Sequence, residues 1–146
     1  MNMKQTINIF NKKAKFDYHF LRQENAGIQL VGSEIKSIRA GQVSLVDSYC
    51  MFQGDELFVV GMNIPGNNTA YSHEPLRHRK LLLKRKELDK LKKELIKGVT
   101  IIPTRLYLNE RGFIKIEVSV CKGKKEYDKR NTIKERDITR QLNLVD

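Results

Sequence analysis

"VTIIPTRLYLNERGFIKIEVSV" (residues 99–120) decides the fold. Two β-rich runs, 99–108 and 112–120, flank the polar link "NERG". In the second run Phe113 and Glu117 share one face, and Ile114, Ile116, Val118 and Val120 share the other. A period of two marks a half-buried strand, and a short Gly-containing link marks a hairpin. Outward from there the pattern repeats. "FDYHFLRQ" (16–23) alternates Phe16, Tyr18 and Phe20 with Asp17 and His19, and "AGIQLVG" (26–32) sets Ile28 and Leu30 on one face between glycines. "SLVDSYCMF" (44–52) and "ELFVVGMNI" (56–64) meet at the turn "QGDE". About six strands with short links predict a mainly β fold, a small closed antiparallel barrel. An open sheet of that size would leave edges free to aggregate.

Three short helices are expected on this frame. "SEIKSIRAG" (33–41) offers Ser33 as N-cap, Ile35 and Ile38 on one stripe, and Gly41 as the stop. "KRKELDKLKKELIKG" (84–98) aligns Leu88, Leu91 and Leu95 before Gly98. "TIKERDITRQL" (132–142) is the third. Its side-chain pairs are too weak to hold so short a helix alone, so it reads as a conditional helix in a tail. A polar loop runs from Pro65 to Pro75, and neither repeats nor low-complexity stretches occur.

A chain of 146 residues, 40% hydrophobic and 31% charged, suits one globular domain with a heavily charged surface. It has no apolar run of membrane-spanning length. "MNMKQTINIF" lacks the apolar core and cleavage site of a signal peptide, so an intracellular, cytoplasmic protein is expected. Cys50 and Cys121 stand far apart without metal-binding company and read as reduced core residues.

The net charge of +11 is the strongest functional signal. It is unevenly distributed: residues 47–76 sum to −4 and residues 77–97 to +7. That contrast predicts a polarised surface for a polyanion, with nucleic acid favoured over membrane because no basic helix carries aromatic anchors. Catalysis is not indicated. His19, His73 and His78 have no ligand set at metal spacing, the serines sit in no nucleophile motif, and no phosphate loop occurs. No catalytic residue, metal or cofactor is therefore expected.

The candidate binding residues are cationic. "PLRHRKLLLKRK" (75–86) carries Arg77, Arg79 and Lys80 before the Leu81–Leu83 triplet, then Lys84, Arg85 and Lys86. The triplet is expected to pin the segment to the barrel while the flanking cations stay outside, where an arginine fork suits phosphate. Lys12, Lys13 and Lys15 precede a strand, and "GSEIKSIRAG" adds Lys36 and Arg39. Glu34, in the same motif, is unusual in a phosphate-gripping face. It either orients a neighbouring Arg or Lys, accepts a bond from a base or ribose, or simply complements a helix N-terminus.

Five segments in order carry a family resemblance: "GSEIKSIRAG" (32–41), "DSY" (47–49), "RKLLL" (79–83), "KGVTIIPTRLY" (97–107) and "KGKKEYDKR" (122–130). From about Asn11 to Arg136 the chain resembles the small protein B family, the SsrA-binding proteins. The resemblance implies an oligonucleotide-binding (OB) type barrel over residues 1–122 and a basic tail over 123–146, disordered off the ribosome. It implies an adaptor without catalytic activity that binds the tRNA-like domain of transfer-messenger RNA. With elongation factor Tu and GTP, reached through the RNA, it would meet the small-subunit decoding region of stalled ribosomes. A monomer is expected. By motif match, Glu34, Lys36, Arg39, Arg79 and Lys80 fall on RNA-contact positions.

In the tail, Lys124 and Lys125 match "GKK", and Asp128, Lys129 and Arg130 match "DKR". Tyr127 stands where some relatives have a histidine that stacks on ribosomal RNA; it keeps the π-face and loses the protonatable nitrogen. Lys134 and Arg136 extend the ribosome-contacting set, whereas only Arg140 is cationic beyond them and Asp146 is acidic. Two other readings compete: a general ribosome-associated protein with no dedicated RNA, and an RNA-processing enzyme using His73 or His78.

Overall fold

The computed structural model describes residues 7–66, 72–95 and 98–123. In chain order the elements are β1 (Asn8–Phe10), α1 (Lys12–Asp17), β2 (Tyr18–Ile28), α2 (Gly32–Arg39), β3 (Tyr49–Gln53), β4 (Glu56–Val60), β5 (Arg79–Leu82), α3 (Arg85–Glu94), β6 (Val99–Leu108) and β7 (Ile114–Gly123). All strand pairs are antiparallel. The order β6-β3-β4-β5-β2-β7 closes on itself through β6–β7, and β1 is added to the free half of a β6 edge. Six strands thus form the ring, the number expected, but β5 lies in a segment not expected as a strand and β2 takes in two of the expected runs. The helix expected over 132–142 and the tail from 124 onward lie outside the described residues.

The long strand β6 shows why the ring closes here. One edge pairs with β7 along its length, while the other passes from β3, at Cys50–Ile101, to β1, at Phe10–Arg105. Pro103, which has no N–H to give a ladder, falls at that change of partner. Asn11 fills the gap. Its Nδ2 donates to Pro103 O at 2.9 Å and Leu45 O at 3.0 Å, and its N–H donates to Thr104 O at 2.8 Å. The same side chain caps α1, with Oδ1 accepting from the Ala14 N–H at 3.2 Å.

Two β-bulges decide which side chains enter the barrel. The register slips at Leu21 in β2, between Phe20 and Arg22, and at Thr104 in β6, between Pro103 and Arg105. An extra residue reverses the alternation that follows it. Before the Leu21 bulge, Tyr18 and Phe20 pack outside the barrel with Ala14, Ile102 and Cys121, under α1. After it, Ala26 and Ile28 join the core with Leu57, Val59, Ile101, Leu106, Ile116, Val118 and Val120. The Thr104 bulge likewise sends Leu106 inward, fully buried, and so leaves Arg105 and Tyr107 outside. Burial pushes both cysteine thiols up, Cys121 to about 12, which keeps them protonated and unreactive.

The sequence boundaries differ from the structure in three instructive places. Residues 16–23 and 26–32 are not two strands: β2 runs unbroken to Ile28, and Phe16 and Asp17 belong to α1. Gly27 serves a close approach rather than a turn, since a Cβ there would lie 3.2 Å from Leu82 Cβ on the neighbouring β5. The segment 56–64 ends as a strand at Val60, because Gly61 takes φ +82° against the Asp47 carbonyl. Replacing Asn11 by Ala removes three side-chain hydrogen bonds; Leu45 O keeps the Ser48 N–H and Oγ as donors, while Pro103 O loses the Asn11 amide. A loss of about 2–4 kcal/mol is expected, from roughly 1 kcal/mol for each hydrogen bond removed. It should appear as a lower urea midpoint with an unchanged slope.

Candidate nucleic-acid interface

The charged centre of the molecule begins with one carboxylate. Glu34 lies in the first turn of α2, where its Oε1 accepts the Val31 N–H at 2.9 Å. Val31 has no polar side chain, so Glu34 closes the N-terminus that Ser33 was expected to cap; Ser33 instead bonds His73, Oγ to Nδ1 at 2.8 Å. Glu34 is fully buried, and two arginines reach it. Arg79 Nε donates to Oε2, and Arg77 Nη2 donates to Oε1.

Arg79 corrects the expectation that the cations of "PLRHRK" stay outside. It is fully buried, and its remaining donors reach Met62 O at 2.6 Å, Pro75 O at 3.1 Å and Glu74 O at 3.3 Å. The alternation that buries Leu81 on β5 also buries Arg79, two residues away. Arg79 therefore ties α2, the end of β4 and the segment before β5 together, and in this conformation its fork is not presented to a ligand. Arg77 is the outer partner, with its side chain 36% exposed. Glu34 also lacks an exposed surface for RNA; of its three readings, the geometry shows two together, the acid that closes a helix N-terminus and the acid that orients neighbouring arginines.

Burial alone would raise the Glu34 pKa, but hydrogen bonds from Arg77, the Val31 N–H and Arg79 outweigh it and hold the carboxyl below its ordinary value of 4.5.

The polarised charge of the sequence is mixed in space. The turn between β3 and β4, from the acidic block, folds onto α3 and β5 from the basic block. Lys92 meets Asp55 at 3.3 Å and lies 5.8 Å from the Phe52 ring centre; Arg85 meets Glu56 at 3.2 Å and Lys80 meets Glu56 at 3.6 Å. Lys13 pairs with Asp47 at 2.8 Å. Lys12, Lys36 and Arg39 are exposed, and no ion pair engages them among the described residues. Lys124, Lys125, Tyr127, Asp128, Lys129, Arg130, Lys134 and Arg136 lie outside the described residues.

The structure adds a face that the sequence reading missed. Outside β6, the Arg105 guanidinium lies 4.3 Å from the Tyr107 ring centre and 6.0 Å from that of Phe10 on β1. Phe10 is 55% exposed. Arg105 also reaches Glu117 on β7 at 3.8 Å, and the Tyr107 hydroxyl donates to Asn25 Oδ1 on β2 at 3.0 Å. Phe10, Lys12, Lys15, Phe20 and Gln23 line the adjoining groove. Cations stacked among aromatic rings suit the faces of unpaired bases. The signal was present in "TRLYL": with Leu106 inside, its two neighbours had to be outside.

Residues 8–145 match the model of the SmpB protein family. An SsrA-binding protein from Christiangramia forsetii is 50% identical over 146 residues, covering 98% of this chain and 93% of the relative. One from Thermosipho africanus is 46% identical over 136 residues, covering 91% of each chain. A chain from the solved structure "tmRNA-SmpB: a journey to the center of the bacterial ribosome" superposes with a TM-score of 0.69 at 36% identity, covering 87% of this chain and 94% of that one.

Replacing Glu34 by Ala strands the buried Arg79 charge and is expected to cost about 3–5 kcal/mol. The native pKa of Glu34 is depressed, so its stabilisation is complete above the unfolded value near 4.5 and is lost as pH falls through the folded value. Denaturant titrations from neutral pH to pH 3 should show that loss in the native chain, and a smaller pH dependence in Glu34→Gln.

Proposed function

The chain belongs to the SmpB family, and we propose that it is an RNA-binding adaptor. It binds the tRNA-like domain of transfer-messenger RNA and delivers that RNA to stalled ribosomes for trans-translation, the tagging of incomplete proteins. The observation that carries this reading is the Phe10–Arg105–Tyr107 stack on the outer wall of a closed barrel, in a chain with net charge +11. Rings and a guanidinium engage base faces, while exposed lysines meet phosphate. The names of the curated relatives and of the ribosome structure support the identity of the RNA.

Within this proposal residues 1–122 form the RNA-binding barrel and residues 123–146 a separate ribosome-contacting tail. Lys12, Lys13, Lys36, Arg39, Arg77, Lys80, Lys124 and Lys125 supply the phosphate contacts, with Glu34 and Arg79 holding Arg77 in place. Tyr127, Asp128, Lys129, Arg130, Lys134 and Arg136 contact the small-subunit decoding region. Elongation factor Tu–GTP is engaged through the RNA. The protein acts as a cytoplasmic monomer, needs no cofactor and catalyses no reaction. Among the described residues no helix is long and apolar enough to cross a membrane, and no cluster of His, Cys, Asp or Glu could hold a metal ion.

Binding of the cognate transfer-messenger RNA across a salt series tests the reading. Log affinity should fall linearly with log salt, by about 0.7–0.9 for each phosphate neutralised. A chain that bound random duplex RNA equally well, or recovered only ribosomal RNA from cells, would instead be a general ribosome-associated protein.

Two sets of variants separate the proposed surfaces. Arg105→Ala with Tyr107→Ala should weaken RNA binding by about tenfold or more, since a stacked base contributes about 1–3 kcal/mol. Lys129→Glu with Arg130→Glu should leave RNA binding within about twofold, yet abolish tagging on stalled ribosomes in a reconstituted translation assay. Equal loss of RNA binding in both sets would refute the division of labour.

A further inference from the structure

The link "NERG" (109–112) builds more than a turn. At the tip of the β6–β7 hairpin, Asn109 Oδ1 accepts the Arg111 N–H at 3.0 Å and the Phe113 N–H at 2.8 Å. The Asn109 N–H donates to Phe113 O at 2.9 Å, and the Gly112 N–H donates to Asn109 O at 3.0 Å. Gly112, at φ +84°, lets the chain turn back between them. Both backbone groups of Phe113 are therefore held by Asn109. Its side chain is left out: at 63% it is the most exposed of the large apolar residues described. A ring on a fixed base loses little freedom when a partner stacks on it.

Beside that ring lies a hollow of about 300 Å³, at the end of the barrel where β2 finishes and β7 starts. Its floor is aliphatic: Ile28 and Leu30 at the end of β2 and just beyond it, Ile114 at the start of β7, and Ile35 on α2. Arg39 is the one charged side chain among the described residues that line it. It follows Ile35 by four residues and so shares that face of α2. Arg39 is exposed, and among the described residues no ion pair engages it. The hollow thus presents a ring, an aliphatic floor and an uncompensated cation. The group that complements all three is flat and carries a negative charge beside its plane.

We propose that this hollow holds one unpaired nucleotide of an RNA, with its base against Phe113 and its phosphate on Arg39. An exposed base stacks on an aromatic ring, and a guanidinium fork matches a phosphate. Arg39 is the one lining side chain with a hydrogen-bond donor, so with its fork on the phosphate the base edges go unread. Selection then rests on ring size: purines are held over pyrimidines, and adenine and guanine alike. A continuous duplex, whose bases stack on one another, has no free face for the ring. Leu108 ends β6 about 10 Å beyond Arg105, from a rise of about 3.4 Å per residue, so one RNA can reach both this hollow and the Phe10–Arg105–Tyr107 face. The inference rests on the RNA-binding reading and adds a separate stacking site to it.

The test measures the affinity of the full chain and three variants for transfer-messenger RNA across a salt series. Phe113→Leu should bind about tenfold more weakly with an unchanged salt slope, because a ring and not a charge is lost. Phe113→Tyr keeps the ring and should bind within about twofold of the native chain. Arg39→Gln should flatten the slope by about 0.7–0.9, the mark of one phosphate contact. Both positions are exposed, so urea midpoints should stay at the native value in all three. The native chain, labelled with nitrogen-15, is also titrated with each of the four ribonucleoside monophosphates. AMP and GMP should shift the Ile35, Gly112 and Phe113 amides alike, and CMP and UMP at least about threefold less. Equal shifts from all four nucleotides, native-like RNA binding by Phe113→Leu, an equal loss in Phe113→Tyr, or an unchanged slope in Arg39→Gln overturns the inference. A Phe113→Leu chain that binds the RNA normally but fails in tagging gives the hollow to a protein partner instead. Each of those results leaves the adaptor reading standing. Failure of the native chain to prefer transfer-messenger RNA over random duplex refutes the adaptor reading itself.

Discussion

One buried carboxylate organises the charged half of this molecule. Glu34 accepts from a helix N-terminus and from two arginines, one fully buried and one at the surface. A buried carboxylate or guanidinium alone would carry a desolvation penalty of several kcal/mol. Here each satisfies the other, and Arg79 places its remaining donors on three backbone carbonyls. The pair cancels its own charge and leaves Arg77 as the outward cation. The interaction thus has two consequences from one geometry. It fastens α2 to the segment entering β5, and it fixes the position of a half-exposed guanidinium that would otherwise sample many rotamers. Fixing that side chain in advance removes ordering entropy from any later phosphate contact.

The barrel wall depends on a different device, the paired bulges at Leu21 and Thr104. Without them β2 and β6 would keep one face throughout. Tyr18 and Phe20 would then lie on the same side as Ala26 and Ile28, and the packing under α1 could not coexist with the closed core. The one residue of excess length at Thr104 gives β6 an apolar interior beyond it and an aromatic, cationic exterior. Fold and interface are therefore not independent: the slip that directs Leu106 inward is the slip that exposes Arg105 and Tyr107.

This explains which parts were legible in the sequence. The β6–β7 hairpin was readable because its alternation is long and its link is short. α2 and α3 were readable from apolar spacing and glycine stops, and Gly41 does end α2, at φ +77°. The bulges were not readable, because an extra residue looks like noise in a period-two pattern until the partner strand is known. The role of Gly27 was not readable for a related reason. A glycine required by the approach of β5 cannot be told from a turn glycine without the neighbour. α1 was available in principle: Asn11 is a good N-cap, but the alternation of Phe16, Tyr18 and Phe20 competed with it, and the lysines were read as ligands rather than as a helix face. Arg79 shows the converse error, in which residue type outweighed position. Its place two residues before Leu81 already assigned it inward.

The charge distribution carries a lesson about range. Segments of −4 and +7 adjacent in sequence suggested a surface dipole, but the acidic turn lies against the basic helix at ion-pair distance. Separations of 3–4 Å are well inside the screening length of about 8 Å at physiological salt, so at a distance these pairs act as nearly neutral. An approaching polyanion feels the net +11, distributed over the chain, and that field speeds encounter without selecting a sequence. Selection needs groups that work at contact, such as the Phe10 and Tyr107 rings beside Arg105. Attraction and discrimination are thus assigned to different residues.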